Sequence, residues 1–61
     1  MLLGKVEKCL RLTGFTPTWF GRACLGDPRF VFDLRSGREP RLATQTRVLA
    51  FIAQIEPSND D

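Results

Sequence analysis

Between Thr16 and Gly37 the chain alternates helix starts with helix stops, and this punctuation constrains its fold more than any other feature. Thr16 is a good N-cap, because its hydroxyl can accept from a free amide of the first turn. Pro17 follows at the first helical position, where a missing N–H costs nothing. Gly26 supplies a stop. Asp27-Pro28 then repeats the start, and Ser36-Gly37 repeats the stop. The spacing predicts helices over residues 17–25 and 28–35, joined by only about three residues. Two short helices joined so tightly must cross steeply, as in a helix-turn-helix. Phe15 precedes the cap and Phe20 lies one turn in, which is the spacing of a hydrophobic staple.

The flanking segments also read as helices. Over residues 2–13, Leu3, Val6 and Leu10 form an apolar stripe with Cys9 beside it, and Gly14 is placed to end the helix. Residues 36–43 form a basic loop, after which Thr44 is expected to cap a last helix over residues 45–55. Val48, Phe51, Ile52 and Ile55 form its stripe. Residues 57–61 read as a polar acidic tail. No strand alternation or repeat is visible. The expected fold is all-α, with four short helices around a single core in a domain spanning residues 1–56. Phe15, Phe20 and Phe51 are expected in that core, with Trp19 covering part of it.

Length and composition exclude several functions. A chain of 61 residues makes one domain at most and buries only about 60% of its extended surface. There is no histidine, and the two cysteines cannot complete a four-ligand zinc site. Cys9 and Cys24 fall at apolar positions. They read as small reduced hydrophobes of a cytoplasmic protein without a signal peptide, although a disulfide between them is formally open. No apolar run approaches the ~20 residues of a membrane span. No paired carboxylates, nucleophile–base pair or phosphate-cradling glycine loop is present, so neither catalysis nor a cofactor is expected.

Charge is more informative. Setting aside Glu56, Asp60 and Asp61 leaves four acids against nine basic residues, a net of +5 over residues 1–55. From position 22 to 47 every basic residue is arginine: Arg22, Arg29, Arg35, Arg38, Arg41 and Arg47. The guanidinium fork matches phosphate and guanine better than an ammonium does. An ordinary solvated surface would account for the same charge.

The segment Thr16 to Gly37 resembles the helix-turn-helix of the Cro/lambda-repressor-like regulators of phages and bacteria. The elements that carry the resemblance are the cap Thr16, the pair Phe20-Gly21, the turn Leu25-Gly26, the apolar pair Val31 and Leu34, and the exit Gly37. Pro40 and Thr44 match the start of the family's next helix, and the resemblance extends over about residues 3–55. The chain departs from the pattern in three ways. Its turn glycine falls one place late, Trp19 and Phe32 occupy positions that are usually polar, and no residues remain for a fifth, dimerising helix.

The resemblance implies a sequence-specific regulator that inserts helix 28–35 into the major groove of double-stranded DNA. On a helical wheel Phe30, Val31 and Leu34 share one side, while Arg29, Phe32, Asp33 and Ser36 share the other. Arg29 would then read guanine, Phe32 a thymine methyl and Asp33 a cytosine amino group, with Pro28 at the leading end. Asp33 could instead pair with Arg29. Thr16, Thr18, Arg22, Arg35, Ser36, Arg38 and Arg41 would contact phosphates. No membrane partner is expected, and a homodimer on DNA is left open. Two alternatives share the same fold. One is a protein-interaction module or regulatory subunit anchored by Trp19 or Phe32, and the other a nucleoid-type DNA binder of low specificity.

Overall fold

The computed structural model describes residues Met1–Glu56 and is helical throughout its regular segments. The predicted tail, residues 57–61, lies outside the described residues. The elements are α1 (Leu2–Thr13), α2 (Pro17–Leu25), α3 (Phe30–Arg35) and α4 (Leu42–Ile55). No strand is present among the described residues, and no helix among them is long and apolar enough to cross a membrane.

The first two helices begin and end where their punctuation predicts. Gly14 ends α1 in the left-handed region, at φ 79°, and donates its N–H to the Leu10 carbonyl at 2.9 Å. Thr16 caps α2, its Oγ1 accepting from the Trp19 N–H at 3.1 Å. Gly26, at φ 69°, closes α2. Left-handed geometry at these sites strains any residue with a Cβ, which is why glycine holds them.

The other two starts differ from expectation. The segment 28–35 becomes helical only at Phe30. Asp27 caps a turn instead of the helix. Its Oδ1 accepts from the Arg29 N–H at 3.0 Å and its carbonyl from the Phe30 N–H at 3.2 Å. Pro28 and Arg29 are the central residues of that turn, proline presetting φ at the first of them. The last helix begins at Leu42, three residues before the expected start, so Thr44 lies within it and caps nothing. Leu42 and Ala43 are good helix formers. Gln45 secures the early start by donating from Nε2 to the Pro40 carbonyl at 2.9 Å.

All four helices contribute to one core. Val6 and Cys9 of α1, Phe20 of α2, Val31 of α3 and Val48 of α4 are fully buried, ringed by Leu10, Cys24, Phe30, Leu34 and Ile52. Burying a side chain of this kind contributes about 1.5–3 kcal/mol. Both cysteines are free and buried, and burial pushes both thiols up from their ordinary pKa. They pack as small hydrophobes.

Phe15 departs from the expected staple and is not a core residue. Its ring stacks on Trp19, with centroids 4.2 Å apart, and it stays 38% exposed. Trp19 in turn reaches Phe51 at 6.2 Å, and Phe51 meets Phe20 edge-on at 5.4 Å. The indole therefore takes the place expected of Phe20 and carries Phe15 over the rim of the core. Offset and edge-on ring contacts of this kind are the favoured ones.

The closest approach is between α2 and the turn before α3. A Cβ built on Gly21 would collide with the Asp27 carbonyl oxygen and lie 3.2 Å from the Phe30 Cβ. Asp27 also donates its N–H to the Gly21 carbonyl at 3.1 Å. Gly21→Ala is therefore predicted to force the turn away from α2 and destabilise the fold by about 2 kcal/mol or more. A thermal melt should show a midpoint lowered by roughly 10 °C. An unchanged midpoint would mean the approach is looser than described.

Candidate nucleic-acid interface

The residues expected to contact DNA lie on α2, on the turn and α3, and on the segment leading to α4. Thr16, which caps α2, and Thr18 and Arg22 within it are exposed. Thr18 and Arg22 are four residues apart and so share a helix face. The Thr16 oxygen is already engaged as an acceptor from Trp19, which leaves its hydroxyl proton free to donate.

Arg29 stands at the leading end of α3. Its backbone is fixed twice, since its N–H is bound by the Asp27 carboxylate at 3.0 Å and its carbonyl accepts from the Asp33 N–H at 2.9 Å. The side chain is exposed and pairs with no carboxylate among the described residues. The result is a rigid base under a free guanidinium.

The wheel of α3 holds. Phe30, Val31 and Leu34 are buried, while Phe32 and Ser36 face outward and Asp33 is half-buried. Asp33 pairs with Arg38 rather than Arg29. Arg38 Nη1 donates to Asp33 Oδ2 at 2.9 Å, and the backbone delivers it there. Gly37, at φ 100°, turns the chain so that the Arg38 N–H reaches the Asp33 carbonyl at 3.1 Å and the Gly37 N–H reaches that of Leu34 at 3.0 Å. These two bonds are a Schellman motif, which brings the residue after the glycine back over the last turn. Ser36 donates its hydroxyl to the Phe32 carbonyl at 3.1 Å.

Arg35 has a structural partner that sequence reasoning missed. Its Nε and Nη2 donate to Glu7 Oε2 and Oε1 at 2.8 and 3.0 Å, tying the end of α3 to α1. The paired hydrogen bonds hold the Glu7 carboxyl below its ordinary pKa and raise that of Arg35. The same guanidinium lies 5.7 Å from the centre of the Phe32 ring, within cation–π range. Phe32 is therefore braced on one side and still 46% exposed. Nothing in the sequence points from residue 35 to residue 7. Asp27 was legible in principle, because Asp followed by Pro favours a turn in which the Asp side chain accepts from the backbone N–H two residues on.

The arginines thus divide into two sets. Arg35 and Arg38 are neutralised by Glu7 and Asp33, whereas Arg11, Arg22, Arg29, Arg41 and Arg47 are exposed with no carboxylate partner among the described residues. The arrangement offers donors and one apolar ring. No family model matches the chain, and neither a curated protein nor a solved structure matches it.

The Glu7–Arg35 pair makes stability depend on acid. A carboxyl whose pKa is depressed by folding adds stability above its ordinary value of 4.5 and loses it as pH falls through the lower folded value. Glu7→Gln should therefore be less stable than wild type in urea melts at neutral pH, with the gap closing as pH falls below 4.5 and through the lowered folded value. A gap that does not change with pH would mean that the pair contributes nothing through charge.

Proposed function

We propose that this chain is a sequence-specific double-stranded DNA-binding regulator of the Cro/lambda-repressor-like helix-turn-helix kind. In this reading α2, the turn at Asp27–Phe30 and α3 form the binding motif. The observation that carries it is Arg29, a free guanidinium on a doubly fixed backbone at the leading end of α3. That is the end of a recognition helix that meets base edges. Arg29 donates to guanine O6 and N7 in this arrangement, and Phe32 meets a thymine methyl from the next turn of the same face. Asp33, held by Arg38, limits what can approach between them.

Backbone contacts position this reader without carrying sequence information. Thr18 lies in the first turn of α2, where free amides and the helix dipole favour a phosphate, and Arg22 follows one turn later on the same face. Arg41 precedes α4. Arg35 and Arg38 contribute only by exchanging carboxylate partners for phosphate, so they add less than an unpaired arginine would.

Two substitutions separate base reading from backbone contact. Arg29→Ala should cost about 1–3 kcal/mol on the preferred duplex and relax one base position. Arg22→Ala should weaken all duplexes alike and reduce the salt slope by about 1. Fluorescence anisotropy over a salt series, on selected and random duplexes, reads both. Absence of binding at low salt contradicts the proposal. Equal affinity for unrelated duplexes replaces it with a low-specificity binder.

A protein-interaction module is favoured by a different observation, the stacked and partly exposed Phe15–Trp19 pair. Its anchor would be Trp19 at 42% exposure, although the contact of that ring with Phe51 already accounts for its position.

A further inference from the structure

The outward face of α4 carries no charge. At 100° per residue, Leu42, Ala43, Thr46, Leu49, Ala50 and Ala53 fall within about 120° of arc, opposite the buried Val48 and Ile52. All six are exposed, Leu42 by 76% and Leu49 by 41%. A helix on a solvated surface ordinarily places its charged residues on that face. Between Leu42 and Ile55 the one charged residue is Arg47, at the edge of the arc.

The charges at the ends of α4 are also reversed. Arg41 precedes the helix and no acid lies in its first turn. Glu56 follows the helix and no basic residue lies in its last turn. The helix dipole favours the opposite arrangement, with acids at the N-terminus and bases at the C-terminus. An isolated α4 is disfavoured at both ends.

We infer that α4 packs antiparallel on α4 of a second copy of this chain, with Leu49 at the two-fold axis. One register satisfies every feature. With Leu49 opposite Leu49, position 42 lies opposite position 56 and position 45 opposite position 53. Leu42 then enters a shallow groove of about 220 Å³ on the other copy, lined by Lys5, Lys8, Leu49, Ile52, Ala53 and Glu56. Arg41 of each copy meets Glu56 and the negative helix end of the other. The misplaced charges of one helix become favourable pairs across the interface, and the two dipoles oppose. A two-fold interface must be self-complementary, and this face is. The inference does not depend on DNA binding and is tested without DNA.

Sedimentation equilibrium up to about 1 mM protein should show a monomer–dimer equilibrium. Leu49→Glu places two like charges on the axis and should raise the dissociation constant at least about 30-fold. Arg41→Glu and Glu56→Arg should each weaken the dimer roughly 5-fold. The combined charge swap restores the ion pairs, though not the dipole contribution, and should recover most of the lost affinity. Within one copy the two residues lie about 22 Å apart, so rescue can only act between copies. Thermal melts check that each variant folds, and Ala53→Glu repeats the test if Leu49→Glu does not. A monomer at every concentration overturns the inference, as does a dimer indifferent to Leu49→Glu or a charge swap that rescues nothing.

Discussion

Where α2 meets the turn before α3, the Asp27 carbonyl oxygen fills the space that a Cβ at position 21 would need. Everything exposed downstream inherits its position from that contact. The bond from the Asp27 N–H to the Gly21 carbonyl holds the turn against α2. The Asp27 carboxylate then binds the Arg29 N–H, and Arg29 opens α3. One missing side chain thus sets the packing of Phe30 and Val31 below and the height of the Arg29 guanidinium above.

Electrostatics sorts the arginine-rich segment into structure and surface. The bidentate pair of Arg35 with Glu7 fastens α3 to α1, and Arg38 folds back on Asp33 under direction from Gly37. Arginine suits both tasks because its planar fork matches a carboxylate as well as a phosphate. Of the guanidiniums without a carboxylate partner within the described residues, Arg22 and Arg29 carry the proposed function. A count of basic residues overstates the free positive charge by the two that are paired.

Local chemistry made much of the fold legible in the sequence. The bounds of α1 and α2, the Thr16 cap and the glycine stops all depend on residues within one or two turns of each other. So does the buried side of α3. The start of α3 was misjudged because Asp27 before proline can cap either a helix or a turn, and here it caps the turn. The start of α4 was misjudged because the Thr44 signal was weaker than the helix continuing through Leu42 and Ala43, which Gln45 secures from behind. Contacts across the fold were not legible. The Glu7–Arg35 pair spans 28 positions, and the choice of Trp19 over Phe20 as the partner of Phe15 depends on where α4 places Phe51. In the candidate site the outward residues of α3 were readable from periodicity, and their partners were not.

In the proposed function the turn and outward face of α3, with the outer face of α2, form a DNA-reading surface. The most direct measurement is an NMR titration of the labelled chain with a duplex recovered by binding-site selection, following backbone amides and arginine side-chain signals together. Shifts should concentrate on Thr18, Arg22, Arg29 and Phe32, with the Arg29 side chain moving most and the Phe15–Trp19 rim unchanged. Shifts confined to that rim, or absent from Arg29 and Phe32 at saturating duplex, would contradict that function.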